Sequence, residues 1–386
     1  MTRIEWEEGG KEGGQEGGQA RSALWRSESG WPAPKKVVIA DDTMTADAAY
    51  RLALDGTALL WRGDFQNARQ LLQALARRID HKGSRAKRAK TKVAPTLLES
   101  FHRHRLAQLQ RARTLAMLLI PFEADYTIPL RRAPDVRQAC NEAYGAATEP
   151  FVVSLRELLG LIGAHEWRSK GVPIAALDDR IHPWYGVFSP VRGEYVELVA
   201  QAPLPKKINL AFDIGAGTGV LSAVLARRGL RRVVATDMDA RALGCARENI
   251  ERLGLSSQVE IVNADLFPEG QADLVVCNPP WLPGKPSSAI EHAIYDPESR
   301  MLRGFLGGVK AHLAPGGEAW LILSDFAEHL GLRTREQLLG WIAQAGLEVA
   351  GHHDVRPTHP KALDAEDPLH AARSQETTSL WRLRAA

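Results

Sequence analysis

From Lys207 to the C-terminus, short apolar runs rich in β-formers alternate with stretches of helical period. The runs are Ile208 to Asp213, Arg232 to Asp237, Val259 to Asn263, Leu274 to Asn278, Glu318 to Leu323, Leu347 to His352 and Ser379 to Arg384. Their length and composition read as strands. Between them, Val220, Leu221, Val224 and Leu225 mark one helix face, and Ala242, Cys245, Ala246, Ile250 and Leu253 mark the next. This alternation predicts an α/β fold, doubly wound, with a largely parallel sheet covered by helices on both faces. Ligands in such folds bind at the C-terminal ends of the strands.

The front of the chain has a different rhythm. Phe65, Ala68, Leu71, Leu72 and Leu75 recur at helical spacing behind Asp64, a candidate N-cap. A second stripe runs through Leu98, Phe101, Leu109, Ala112 and Ala116. These patterns predict a smaller, mainly helical domain over residues 36–175. Residues 1–35 carry the near-repeat E-E-G-G-K-E-G-G-Q-E-G-G-Q, which has too little apolar area to offset its ordering entropy, so a disordered tail rich in Gly and Glu is expected there. Residues 176–206 form a lead-in segment, and residues 207–386 the main domain.

Composition adds few constraints. A length of 386 residues accommodates two ordinary domains. The longest apolar stretches, such as Leu115 to Ile120, are too short to span a bilayer, and no apolar core of a signal peptide opens the chain. The expectation is a cytoplasmic protein without membrane contact. Cys140, Cys245 and Cys277 are scattered and provide neither a disulfide framework nor a zinc pair, and His352, His353 and His359 lack a ligand pattern, so no metal is expected. Net charge is uneven: residues 1–207 hold 31 Lys+Arg against 24 Asp+Glu, and the remainder 18 against 22. The stretch Arg77 to Arg113 alone carries twelve Lys+Arg and two acids. Such a run is either a surface that tracks phosphates or a solvated face and linker.

The first main-domain strand ends in D-I-G-A-G-T-G, Asp213 to Gly219, ahead of a helix. Glycines there let the backbone turn tightly and approach a ligand without side chains in the way. The loop departs from the dinucleotide spacing G-x-G-x-x-G, since Val220 stands where its last glycine would be. By itself such a loop also serves as a plain strand-to-helix turn. Asp237 closes the second strand, placed to accept hydrogen bonds from ribose hydroxyls, while Asp239 suits the N-cap of the next helix. Asp265 follows the third strand, placed to accept from an adenine amine.

On these motifs, residues 207–386 resemble the class I S-adenosylmethionine-dependent methyltransferases. The resemblance implies a Rossmann-like seven-stranded sheet in the order 3-2-1-4-5-7-6 with the last strand antiparallel, and S-adenosyl-L-methionine as cofactor. It further implies that Asp213 opens the glycine motif, that Gly215, Gly217 and Gly219 face the methionine part, that Asp237 binds ribose and that Asp265 borders adenine.

The fourth strand ends in Asn278, Pro279, Pro280 and Trp281. An amine conjugated to a base or carbonyl has a delocalised lone pair and is a poor nucleophile. If Asn278 Oδ1 and the Pro279 carbonyl each accept one of its N–H groups, the lone pair can be directed at a sulfonium methyl, with Trp281 as a stacking face. N-P-P-aromatic is similar to the amino-methyltransferases that act on adenine or guanine amines in RNA or DNA, and to those acting on the glutamine amide of translation release factors. Tyr or Phe is the commoner fourth residue in those families, so Trp281 departs from the pattern.

Upstream, His182 to Leu198 resembles the segment that several such enzymes fold over the cofactor, with Phe188, Ser189, Arg192 and Glu194 as pocket candidates; a packed aromatic connector is the other reading. Leu282 to Ser288 has the composition of a mobile loop. The expected activity is N-methyl transfer to an exocyclic base amine in RNA or DNA, with RNA preferred. A glutamine side chain in a protein substrate and a catalytically inactive nucleic-acid-binding module are the alternatives. A nicotinamide dehydrogenase is disfavoured by the loop spacing.

Overall fold

The structure, a computed structural model, describes residues 2–10, 17–89, 95–146, 149–191, 193–286, 289–358 and 364–386. It forms two compact units, one of residues 1–94 with 103–165 and one of residues 95–102 with 166–386.

The first unit corrects the expectation of a mainly helical domain. It holds a six-stranded sheet in the order β1 (Arg3–Gly10), β2 (Gly17–Trp25), β6 (Phe151–Ser154), β5 (Leu118–Phe122), β4 (Thr57–Trp61), β3 (Lys36–Ala40). Every residue of β4, β5 and β6 is buried. Strands covered on both faces read as unbroken apolar runs, which periodicity cannot separate from core helix, whereas the flanking helices Phe65–Ala89 and Leu97–Leu115 announce themselves by their stripes.

The tail expectation is corrected as well for the described residues. β1 and β2 pair antiparallel with Ile4 opposite Ala23 and Gly9 opposite Gly18. Ile4, Ala23, Trp6 and Trp25 pack against Ala58, Leu60, Leu119 and Val152, so a few apolar residues flanking the glycine repeat anchor it to a core. Asp64 Oδ1 accepts from the Gln66 amide at 2.9 Å at the start of its helix. Part of the basic run is internally neutralised, since Arg78 pairs with Asp47 at 2.8 Å and Arg111 with Asp80 at 2.9 Å. Lys90 and Lys92 lie outside the described residues.

The second unit opens with a small antiparallel pair, β7 (Val172–Ile174) and β8 (Asp179–Ile181). Its main sheet runs β11 (Val259–Asn263), β10 (Arg232–Asp237), β9 (Leu210–Ile214), β12 (Ala272–Cys277), β13 (Leu313–Ser324), β15 (Thr378–Ala385), β14 (Leu347–Val355). Numbered within the sheet by chain position, this order is 3-2-1-4-5-7-6. The first five strands are parallel, and β15 is antiparallel to both neighbours.

Alternate residues feed two cores, as a period of two demands. Ala211, Leu274, Val276, Trp320 and Ile322 face the helices Glu194–Gln201 and Val220–Arg227. Phe212, Ile214, Val275, Cys277 and Leu321 face Arg300–Val309 and Arg335–Gln344. One charge sits inside the first layer: Glu318 on β13 is 1% exposed and accepts from Arg382 and Arg384 of the adjacent β15. All three cysteines are buried, and burial pushes the Cys140 and Cys245 thiols up to about 12, which keeps them protonated and unreactive. No described helix is long and apolar enough to cross a membrane.

Candidate active site

β9 delivers the chain into the glycine loop, where Gly215, Gly217 and Gly219 take φ values of 78°, 54° and 79°. These are left-handed conformations that a side chain would strain. At Gly215 a Cβ would also lie 2.7 Å from Met301 Cε, so that methyl end would have to shift. The Gly215 and Ala216 amides donate to the Thr236 carbonyl at 2.9 and 2.8 Å, which pins the loop to the end of β10.

At that end Asp237 accepts from the Gly217 amide at 3.0 Å through Oδ2 and from the Asp239 amide at 3.0 Å through Oδ1. Both oxygens are thereby oriented, and each retains a lone pair for a ligand hydroxyl. Asp239 caps the helix Ala240–Arg252, the role its position predicts.

Asp213 lies beneath the loop, 1% exposed, and accepts from Ser222 Oγ at 2.5 Å. Burial pushes its carboxyl up to about 6, partly opposed by hydrogen bonds from Ser222 and reinforced by the charge of Asp237. An acid whose folded pKa is raised binds its proton more tightly in the native state. Its stabilising contribution is therefore complete below the ordinary value of 3.8 and is lost as the pH rises through about 6. Relative to Asp213→Asn, the wild type should lose about 3 kcal/mol of stability across that window, from roughly 1.36 kcal/mol per pKa unit. Urea denaturation of both proteins at several pH values checks this, and a constant difference would contradict it.

A cavity of about 520 Å³ opens over these strand ends. Gly215, Gly217 and Asp237 line one part of it, and Asn278, Pro279, Pro280 and Trp281, directly after β12, line another. The structure thus brings the catalytic candidates and most of the cofactor candidates into one space. Trp281 Nε1 donates to Asn278 Oδ1 at 2.9 Å and fixes the amide, whose carbonyl oxygen can still accept a second hydrogen bond. Asp213 and Gly219 support the loop from behind. Asp265 is exposed on the loop after β11 and does not line the cavity.

The lead-in segment docks on the helix Ala240–Arg252. Buried Asn249 receives the His182 amide at 2.8 Å and donates to the His182 carbonyl at 3.2 Å, and Trp184 Nε1 reaches Glu248 at 3.1 Å. This docking carries Gly186, Val187 and Phe188 to the cavity wall. Phe188 is therefore placed as the sequence suggests. The Ser189 hydroxyl is buried without a hydrogen-bond partner, Glu194 instead receives the Thr358 amide at 3.0 Å, and Arg192 lies outside the described residues.

The segment expected to be a mobile loop begins pinned. The Leu282 amide donates to the Ile294 carbonyl at 3.1 Å, and the Leu282 carbonyl accepts from Asp296 at 2.9 Å; Ser287 and Ser288 are outside the described residues. His352 pairs with Asp354 at 3.0 Å on exposed β14, and His359 is outside the described residues. Among the described residues no group of three or more His, Cys, Asp or Glu is placed to hold a metal ion.

Further cavity residues lie outside the motifs that the sequence offers, among them His292, Tyr295, Met301, Phe326, Arg373 and Glu376. They come from separate segments, Met301 from the helix Arg300–Val309, Phe326 and Arg373 from the short helices Phe326–His329 and His370–Arg373 and the others from the connections, with no shared motif. The only local sign is that Glu376 stands just ahead of a strand at the sheet's ligand-binding edge.

The family model of the methyltransferase small domain matches residues 181–338. The release factor glutamine methyltransferase of Cereibacter sphaeroides is 30% identical over 192 residues, 46% of this chain and 64% of that protein. The tRNA1(Val) (adenine(37)-N6)-methyltransferase of Shewanella loihica is 30% identical over 184 residues, 45% of this chain and 72% of that protein. The ribosomal protein L11 methyltransferase of Pelotomaculum thermopropionicum is 46% identical over 69 residues, 17% of this chain and 22% of that protein. The chain belongs to the class I S-adenosylmethionine-dependent methyltransferases. Its match spans just under two thirds of the release factor enzyme's length and about a fifth of the L11 enzyme's.

Proposed function

We propose that this protein transfers the methyl group of S-adenosylmethionine to a planar nitrogen, an exocyclic base amine in RNA. The observation that carries the reading is that Asn278-Pro279-Pro280-Trp281 and the Gly215, Gly217 and Asp237 cradle line a single cavity. The cradle fits the cofactor in two respects. Gly215 and Gly217 turn through left-handed conformations with no side chain over the cavity, and the Asp237 carboxylate is held ready for a vicinal diol by two backbone amides. A volume near 520 Å³ lies in the range of small-molecule and cofactor sites.

When bound, the cofactor supplies a methyl on a sulfonium, displaced in line so that the N–CH₃ bond forms as the C–S bond breaks and its electron pair stays on sulfur as a thioether. The chain's own residues orient and exclude. Asn278 Oδ1, steadied by Trp281, and the Pro279 carbonyl each accept a hydrogen bond from one of the two amine N–H groups and turn the lone pair toward the methyl. The positive charge that arrives on nitrogen meets these two oxygens, and one proton then leaves to solvent. Gly186 to Phe188 cover the cofactor side.

A base acceptor is favoured by the tRNA enzyme among the relatives and by the basic balance of residues 1–207, to which we assign substrate recognition. The relative that acts on release factors supports a glutamine amide as the second reading. The intact Asn278 and glycine loop argue against an inactive module.

Asp237→Ala should weaken S-adenosylmethionine binding by about 1 to 3 kcal/mol, because ribose hydroxyls lose a charged acceptor. Calorimetric titration measures it. Wild-type affinity in the variant, or no binding by the wild type, would remove the cofactor assignment.

A further inference from the structure

We propose that Arg373 is a phosphate clamp on the acceptor side of the cavity, gripping the RNA backbone next to the base whose amine is methylated; this rests on the base-amine reading above. Its place follows from the strand order. Asp237 ends β10, Gly215 follows β9 and Asn278 follows β12. Phe326 comes just after β13, and Arg373 just before β15. The sheet runs β10, β9, β12, β13, β15, so the cavity wall passes from the proposed cofactor cradle through the tetrapeptide to Phe326 and Arg373. Among the described residues that line the cavity, Arg373 is the one guanidinium or ammonium.

Arg373 is held in place without being saturated. Its Nε donates to Asp367 Oδ2 at 2.9 Å, and the guanidinium lies 4.7 Å over the Phe326 ring. Asp367 is itself oriented by the Leu369 amide, which donates to Oδ1 at 2.8 Å. Three other arginines give a carboxylate both Nε and Nη2: Arg111 to Asp80 at 2.9 and 3.2 Å, Arg137 to Asp135 at 2.9 and 2.6 Å, and Arg382 to Glu318 at 2.9 and 2.7 Å. Arg373 gives Nε alone. Among the described residues its Nη1 and Nη2 have no hydrogen-bond partner, yet neither is sealed inside the protein, and the side chain is 18% exposed. Glu376 in the same wall is 2% exposed, with Oε1 held by Ser324 at 2.8 Å and Oε2 sealed, so Arg373 supplies the charge that this end presents.

The free edge of the guanidinium carries its remaining N–H groups in one plane, a fork that matches two oxygens of a phosphate. With Phe326 behind it and Asp367 on Nε, that plane is set before a ligand arrives, so little side-chain freedom is lost on binding. RNA carries one such anion per nucleotide, whereas a glutamine side chain on a peptide backbone carries none. The scale also fits. Neighbouring strands lie about 4.8 Å apart, so the ends of β12 and β15 are separated by roughly 10 Å, comparable with the reach of one nucleotide from its exocyclic amine to its phosphate. An amine at Asn278 and a phosphate at Arg373 therefore belong to one nucleotide or to it and its neighbour.

The test uses the full chain with methyl-tritiated S-adenosylmethionine. Probes are short uridine-rich single-stranded RNAs holding a single adenine, guanine or cytosine, and a glutamine-containing peptide. The RNA labelled fastest is made again with an uncharged methylphosphonate linkage either 5′ or 3′ of that base, the flanking sugars being 2′-O-methylated in charged and neutral RNAs alike. One of the two neutral linkages should lower wild-type kcat/KM by about ten- to a hundredfold. Arg373→Gln should lose a similar factor on the charged RNA and nothing more on that neutral linkage, because the two changes remove the same contact. Arg373→Lys keeps the charge without the fork and should fall between. S-adenosylhomocysteine affinity should be unchanged in both variants. For the chain loaded with S-adenosylhomocysteine, the slope of log RNA affinity against log salt should fall by about 0.7 in Arg373→Gln.

Equal wild-type rates on the charged and both neutral RNAs overturn the clamp and leave base methylation standing. That comparison needs no variant, so it holds even where a substitution folds poorly. Losses from Arg373→Gln and from the neutral linkage that multiply also overturn it. If only the peptide is labelled, the base-amine reading fails and the clamp with it. No label on any probe, despite cofactor binding, overturns both.

Discussion

Asn278→Ala is expected to lower methyl transfer by a factor of about a hundred or more while leaving S-adenosylmethionine affinity nearly intact, the scale seen when one transition-state hydrogen-bonding group is removed. Asn278 Oδ1 is held by the Trp281 indole at 2.9 Å, so the acceptor oxygen waits in one place before any substrate arrives. Its benefit grows as positive charge develops on the nitrogen, which makes it larger in the transition state than in either bound ground state. The proposed cofactor cradle, Gly215, Gly217 and Asp237, is untouched by the change. Aspartate at this position still presents an acceptor oxygen and should retain part of the rate. Single-turnover kinetics paired with cofactor titration separate the two effects. A wild-type rate in Asn278→Ala would reduce the tetrapeptide to a structural turn in an enzyme that methylates oxygen, sulfur or carbon.

Glu318→Ala should destabilise the second unit by about 3 to 5 kcal/mol, the range for breaking a buried ion pair from one side. Glu318 receives Arg382 Nε at 2.9 Å and Nη2 at 2.7 Å, Arg384 Nη2 at 2.5 Å and the Trp320 indole at 3.3 Å. Arg382, four-fifths buried, would be left without its counter-charge. Burial by itself pushes the Glu318 carboxyl up, but the hydrogen bonds of Arg382, Arg384 and Trp320 together outweigh it and hold the group at about 2, against an ordinary 4.5. That displacement corresponds to about 3 kcal/mol at roughly 1.36 kcal/mol per unit, which agrees with the first figure. Because the folded pKa is depressed, the stabilisation is present above pH 4.5 and is lost as the pH falls toward about 2. Urea unfolding followed by tryptophan fluorescence should show the full gap between wild type and variant at pH 7 and a smaller one at pH 3. An equal gap at both would assign the loss to packing alone.

Legibility differed between the two halves of the chain for a definite reason. In the second unit β10 and β11 occur where the runs Arg232 to Asp237 and Val259 to Asn263 lie, because each run is closed by a polar or acidic residue at the sheet edge. In the first unit β4 and β5 are five-residue apolar runs without such marks, and the long helix stripes beside them dominate any reading by period. The glycine repeat misleads in a similar way. Its composition argues against order, while Ile4 and Trp6 just before it, and Ala23 and Trp25 after it, carry the apolar area that ties the hairpin to a core.

The candidate site divides along the same line. Gly215, Gly217, Asp237 and Asn278 to Trp281 each belong to a short segment that follows a strand, and chemistry that depends on neighbours in the chain leaves a mark in the chain. Sequence by itself therefore determined the fold class of residues 207–386, the family and the segments after β9, β10 and β12 that line the cavity. Glu376, Ser324, Arg373, Phe326 and Tyr295 meet only because β15 inserts antiparallel beside β13 and returns the chain to the edge where β12 ends. Ser324 and Glu376 are 52 residues apart, and no local pattern couples them until that strand pairing brings hydroxyl and carboxylate to 2.8 Å. Tertiary structure alone decided which distant side chains line the rest of the cavity, since a pocket wall drawn from separate segments is set by packing of the whole sheet and leaves no period or spacing to read.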